Sequence, residues 1–400
     1  MNWPNTALTE RLGISYPIIQ APMAGGPGSP QLVAAVSNAG GLGSLAGGYL
    51  HADQLRAAIT EVRALTDRPF AVNLTALKPA KPDPAKVARA CELLAPYRAE
   101  LGLPPEFPEM PEPPGLDEQL DVILDMQISV LSFVFGAPDS EYLTLLQEAG
   151  ITILGTATHL LEAIMLEESG VDFIVAQGGE AGGLRGTFVG QPEQGLVGIM
   201  TLVPLLAKHV AAPIIAAGGI MDGRGIAATQ VLGAAGVQMG TAFLGCPESG
   251  AHPAYKALLS AGSEIATTLS RALTGRHGRV LRNRLVNELH RHEAELPGFP
   301  LQLFLTQDLR QAAMERGLTD FMALWAGQGC HLCEDRPAAE LIATWVEQVE
   351  DLLGVRTPDP SSAIAAPADE SHAADPVDPA PAARAPEATV DDAPDPACAI

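Results

Sequence analysis

Aromatic residues are scarce in this chain, with Phe, Trp and Tyr making up 4% of 400 residues. A core built from such a sequence is filled by Val, Ile, Leu and Ala. Cysteine is scarce too: Cys91, Cys246, Cys330, Cys333 and Cys398 make an odd set at irregular spacing, which excludes a disulfide framework. Cys330 and Cys333 have C-x-x-C spacing, but a structural zinc needs four ligands and the sequence has no second pair, so no metal is expected. Bases are outnumbered, 24 Lys and Arg against 47 Asp and Glu, for a net charge of −23. That excludes nucleic acid as a partner, because neutralising phosphates needs a basic face. No uncharged apolar run reaches the roughly 20 residues that span a bilayer. Met1 to Arg11 holds no apolar export segment. The expectation is a cytoplasmic protein with no membrane association.

Glycine and proline, by contrast, are abundant at 40 and 34 copies, so tight turns are many. Between the turns, eight segments read as strands: 16–23, 42–46, 69–74, 128–135, 151–154, 171–176, 213–217 and 236–239. Segments with apolar residues at helical spacing separate most of them, among them 30–39, 51–65, 140–149, 159–168, 196–209 and 223–232. Several strands are continuous apolar runs, the signature of parallel strands buried on both faces. Eight such units predict an α/β fold of the TIM (β/α)8 barrel type, with an open doubly wound sheet as the alternative. A proline-rich excursion, 78–115, carries one helix at 84–100 and is expected to shape the pocket mouth.

Beyond the eighth strand the pattern turns mostly helical, with helices expected at 255–260, 281–295, 307–316 and 338–353. From Arg356 the chain is Pro, Ala and Asp with almost no large apolar residue, and a disordered acidic tail is expected. The division that follows is a barrel core over 1–250, a helical subdomain and closing helix over 251–355, and the tail over 356–400.

Two glycine turns stand at strand ends, Gly218-Gly219 after the seventh and Gly240-Thr241 after the eighth. In barrels of this kind the loops after strands 7 and 8 form phosphate sites, helped by a helix N-terminus. Glycine lets backbone N–H groups approach phosphate oxygens, and Thr241 adds a hydroxyl. Gly41-Leu-Gly43-Ser-Leu-Ala46 approximates a dinucleotide fingerprint, but it follows a helix and opens a strand, the reverse of the required context.

Four motifs together resemble the class I nitronate monooxygenases: Gln20-Ala-Pro-Met-Ala-Gly-Gly26, Gln177-Gly-Gly-Glu-Ala-Gly-Gly183, Ala217-Gly-Gly-Ile-Met-Asp-Gly-Arg-Gly225 and Gln238-Met-Gly-Thr-Ala-Phe-Leu244. The resemblance runs from about Thr6 to Leu353 and includes Leu324-Trp-Ala-Gly-Gln328. It implies an FMN-dependent enzyme that oxidises alkyl nitronates such as propionate 3-nitronate with O₂ to carbonyl compounds and nitrite. It also implies site residues: Ala21, Pro22 and Met23 against the flavin ring, Asn73 bonded to it, Gln177 and Gly182 beside it. Gly218, Gly219, Gly240 and Thr241 would hold the phosphate.

The sequence departs from the family at two positions. Leu184 stands where the family has a histidine, and Val134 where many relatives have another. Two polar positions over the flavin have become apolar. Leucine cannot remove a proton from a neutral nitroalkane, whereas a nitronate is already an anion and needs charge stabilisation instead. Arg185 is a candidate anion partner or a surface loop residue, and His159 a candidate base or a capping or solvated histidine. The departure leaves two alternatives beside nitronate oxidation: an FMN-dependent reductase or dehydrogenase for an enoyl thioester or natural-product intermediate, and a catalytically silent flavin-binding protein.

Overall fold

The computed structural model describes residues 3–77 and 83–355. The expected acidic tail and residues 78–82 of the excursion lie outside them. The strands are β1 (Ile18–Gln20), β2 (Gly43–Ala46), β3 (Phe70–Thr75), β4 (Val130–Val134), β5 (Thr152–Ala157), β6 (Phe173–Gln177), β7 (Gly183–Leu184), β8 (Ile214–Ala217), β9 (Gly236–Met239), β10 (Thr267–Ser270) and β11 (Gly278–Leu281). Eight of them form one parallel sheet in the order β1-β9-β8-β6-β5-β4-β3-β2. A bridge between Ile19 and Leu42 joins its two ends, so the sheet is a TIM barrel.

Alternation along each strand sorts the core into two shells. Ile18, Val72, Leu131, Ile153, Ile174 and Val237 face outward and pack with the surrounding helices. Their neighbours Ile19, Ala71, Val130, Leu154, Val175 and Ile215 form a separate cluster inside. Leu8, Leu12 and Ile14 belong to that inner cluster. They come from a helix at Ala7–Leu12 and the turn after it, a helix that the sequence pattern did not predict.

The last barrel strand is followed by a helix of only four residues, Thr241–Leu244. The helix that covers this part of the wall comes from much later in the chain. Ala338–Leu353 packs on both Pro30–Asn38 and Gly223–Val231, burying Leu341, Ile342, Trp345 and Val349. The Trp345 ring meets Phe243 edge-on at 5.2 Å.

A second core gathers residues from Leu244 to Cys330 with the helix Pro84–Glu100, through Leu94, Tyr97, Tyr255, Leu285 and Leu309. This part of the chain is largely helical, with one correction. The expected helix from Leu281 begins at Arg284, where the Asn283 side chain accepts from Val286 N–H at 3.0 Å. Leu281 itself ends a strand: β10 and β11 form an antiparallel pair, and β11 pairs in turn with β7. No local periodicity marks β11, because its partners are an adjacent strand and a two-residue segment about 95 positions upstream, which only the fold brings together. No helix among the described residues is long and apolar enough to cross a membrane.

Candidate active site at the C-terminal ends of the strands

The two glycine turns meet the other predicted residues on one side of the barrel rim. Gly218 has φ +115° and Gly219 φ +70°, both in the left-handed region. A Cβ on Gly218 would lie 2.9 Å from the Ala181 nitrogen, so the turn abuts the Gly178–Gly182 loop. A Cβ on Gly240 would touch Ala21 at 3.4 Å and the Met23 sulfur at 4.0 Å. Ala21 N–H donates to the Met239 carbonyl at 2.8 Å, fixing the loop with Pro22 beside the last strand. Thr241 Oγ1 accepts from Gly327 N–H at 2.9 Å, which leaves its own proton to donate. A Cβ on Gly182 would lie 2.5 Å from the backbone of Ala326 and Gly327, so Gly182 is packed under that segment.

Among the described residues, the N–H groups of Gly218, Gly219 and Gly240 donate to no protein acceptor. They are accessible donors in a cradle of small residues, and an anionic group such as a phosphate fits them. The helix after Gly219 does not contribute its N-terminus as expected. Asp222 caps it, accepting from Arg224 N–H at 3.0 Å and Gly225 N–H at 3.2 Å. A second negative charge would be repelled there, so a phosphate at the turns would gain nothing from that helix.

Asn73, at the β3 end, donates through Nδ2 to Ser132 Oγ at 2.9 Å and to the Ser132 carbonyl at 3.2 Å, leaving Oδ1 for a ligand. Gln177 spends both ends of its amide on the adjacent loop: Nε2 donates to the Leu184 carbonyl at 3.0 Å, and Oε1 accepts from Gly186 N–H at 2.8 Å. Leu184 is half-buried in β7 opposite Gly278, its side chain beside Trp325.

Both alternative readings of Arg185 need correction. It is 1% exposed, not a surface residue. Its guanidinium is also not free for an anion, since it donates to the carbonyls of Gly178 at 2.7 Å, Gln177 at 2.9 Å and Gly195 at 2.8 Å. Burial, reinforced by Arg279, pulls its pKa down to about 10. His159 precedes the helix Leu160–Ser169 without capping it, and its Nε2 faces the Val189 carbonyl at 3.0 Å.

Three residues that organise this rim were missed from sequence. Glu162 is fully buried and accepts from Thr158 N–H and Oγ1, each at 2.7 Å, from Val189 N–H at 3.0 Å, and from Phe188 N–H. Arg279 forks onto the Gly179 carbonyl at 3.0 and 2.8 Å. Arg276 donates to the carbonyls of Arg185 and Thr187 and stacks 3.9 Å from the Phe135 ring. The one available signal was Glu162, the sole charge in Leu160–Leu166.

Phe135 itself has φ +70°, an unusual conformation for an aromatic residue, at the β4 end. Its ring meets Phe299 at 5.8 Å, and Phe299 meets Tyr49 at 6.1 Å. Burial pushes the Tyr49 phenol up to about 12 against the pull of Arg310 and Arg276. The described residues include no group of three or more His, Cys, Asp or Glu that could hold a metal.

The sequence model of the nitronate monooxygenase family matches residues 5–348. A nitronate monooxygenase of Pseudomonas aeruginosa is 45% identical over 350 residues, covering 85% of this chain and 98% of the relative. A probable nitronate monooxygenase of Staphylococcus saprophyticus is 40% identical, covering 87% and 99%. Among solved structures, a nitroalkane oxidase from Streptomyces ansochromogenes superposes with a TM-score of 0.81 at 39% identity, covering 87% of this chain and 99% of that one. FabK from Thermotoga maritima follows at 0.69 and 31%, covering 88% and 97%. The chain belongs to the nitronate monooxygenase family, whose members are flavin-dependent oxidoreductases.

Proposed function

We propose that the protein binds FMN and oxidises preformed alkyl nitronates with O₂, yielding a carbonyl compound and nitrite. One observation carries the choice of nitronate over neutral nitroalkane: the candidate bases nearest the Gly178–Gly182 loop and Leu184 are each engaged. Glu162 accepts from four donors. Glu180 accepts from Ile199 N–H at 3.0 Å. The His159 ring faces a carbonyl, and Leu184 has no proton to exchange. Removing a carbon-bound proton needs a positioned base. A nitronate arrives without that proton.

The flavin, when bound, supplies the transfer of electrons from nitronate to O₂. The residues of this chain bind and orient. The N–H groups at Gly218, Gly219 and Gly240 and the Thr241 hydroxyl would hold the FMN phosphate. Ala21, Pro22 and Met23 would back the ring, and Asn73 Oδ1 would accept from it. Gly182 would lie at its edge, while Gln177 would act through the loop that its amide secures. Leu184, Val134 and Phe135 would exclude water above the ring, which strengthens electrostatic interactions inside.

Propionate 3-nitronate, followed by O₂ uptake and nitrite release, tests the reading; no turnover at millimolar substrate sinks it. The second reading, a reductase on the same scaffold, draws support from the two apolar positions Leu184 and Val134. It requires NADH or NADPH to bleach the flavin under nitrogen.

A further inference from the structure

Beside the barrel mouth lies a cavity of about 680 Å³. Phe135, Phe188 and Met165 give it an apolar wall, and Arg271, Arg276 and His277 a basic one. No carboxylate lines it, in a chain with a net charge of −23.

Neither arginine has an ion-pair partner among the described residues. Arg276 uses Nε on the Arg185 carbonyl at 2.9 Å and Nη2 on that of Thr187, leaving Nη1 to spare. Arg271 is held more loosely. Its Nη2 reaches the carbonyls of Leu296 and Pro297 only at 3.5 Å, and its buried Nε has no partner. The nearby Glu293 is spent on Ser270 Oγ and on the Arg271 backbone N–H. Glu162, the charge that acts on Arg276 from behind, is fully buried and saturated with donors. Burial lowers the His277 pKa below its usual value, so at neutral pH the ring is an uncharged hydrogen-bonding group. A half-buried cation without a counterion costs more than an exposed one unless a ligand supplies the charge.

We propose that this cavity binds an amphipathic organic anion, its carboxylate held by Arg271 and Arg276 and its apolar body laid over Phe135, Phe188 and Met165. Apart from Phe135, which also borders the ring, its partners are not the ones proposed to hold the flavin. Two sources could supply such an anion: the far end of a long substrate reaching out of the flavin site past Phe135, or a separate small-molecule ligand.

Titration calorimetry of the flavin-loaded full chain with octanoate and with octan-1-ol tests it. Octanoate should bind at low salt and octan-1-ol about tenfold more weakly, the discrimination expected of a charge-assisted contact. Arg271→Gln and Met165→Glu should each weaken octanoate by about tenfold while flavin content stays that of the parent. Equal binding of the alcohol, an unchanged Arg271→Gln, or no octanoate heat at millimolar concentration would overturn the proposal. With binding established, octanoate that raises only the KM for nitronate identifies the substrate's own far end. Octanoate that leaves KM unchanged identifies a separate ligand. A protein that binds octanoate but turns over no nitronate refutes the proposed reaction and leaves the anion site intact.

Discussion

Replacing Arg185 by Met separates the structural load of this residue from any role as an anion partner. The side chain is 1% exposed and donates to the carbonyls of Gln177, Gly178 and Gly195. Methionine fills similar space but offers no donor. The Gly178 carbonyl keeps its bond from Ala181 N–H at 3.1 Å; the other two, at about 1–3 kcal/mol each, cost about 4 kcal/mol together. Against this stands the desolvation of the guanidinium itself. A group held at about 10 instead of 12.5 carries about 3 kcal/mol of unfavourable burial, which the substitution releases. The net loss is about 1 kcal/mol, or a fall in Tm of about 2 °C at roughly 2 °C per kcal/mol for a large domain. The carbonyls at risk lie in the loop that reaches Gly182, so FMN retention should fall with stability. Thermal scanning by circular dichroism, with flavin content read from its visible absorbance, measures both. A variant within about 1 °C of the parent, with full flavin content, would refute the reasoning.

Leu184→His should raise oxidation of neutral nitroethane on the order of 10²-fold, the low end of a general-base contribution. Unchanged activity in a variant with a parent-like flavin spectrum would show that the missing base is not the limitation. Gly218→Ala places an L-residue at φ +115° with its Cβ 2.9 Å from the Ala181 nitrogen. Strain of about 1–3 kcal/mol should weaken FMN about 5- to 150-fold in fluorescence titration, and an unchanged Kd would remove the phosphate from this turn. Cys246 is fully buried, and burial raises its thiol from 9.0 to about 12. The folded state therefore keeps a proton that the unfolded chain loses. The stability from this group is complete below pH 9 and is lost as pH rises from 9 to about 12. Cys246→Ala should flatten that alkaline decline in urea melts, and parallel pH curves for the two proteins would rule the thiol out as its source.

The barrel was legible because its strands are continuous aliphatic runs between turn residues, and the pattern placed β9 at Gly236–Met239 without error. The glycine turns at the rim were legible because glycine at consecutive strand ends is a local signal. Arg276, Arg279 and Glu162 were not, since each acts on backbone carbonyls or N–H groups contributed by distant loops. A buried arginine that serves carbonyls has the same local sequence context as an exposed one. Strand β11 was lost for a related reason. Gly278-Arg-Val-Leu281 leads directly into an apolar helical pattern, and its pairing with Gly183-Leu184 is settled by the fold. The reversed glycine pattern at Gly41–Ala46 was correctly set aside on context alone: it leads into β2.

The late helix Ala338–Leu353 imposes an order on biosynthesis. A chain leaving the ribosome has its last barrel strand at Met239, yet the wall over that strand and the first βα unit is supplied only when Leu353 emerges. At about 10 residues per second, roughly ten seconds separate the two. During that interval Ile342, Trp345 and Val349 are not yet available, and the aliphatic surface they cover faces water. A stop codon anywhere before residue 338 would leave that aliphatic surface facing water permanently.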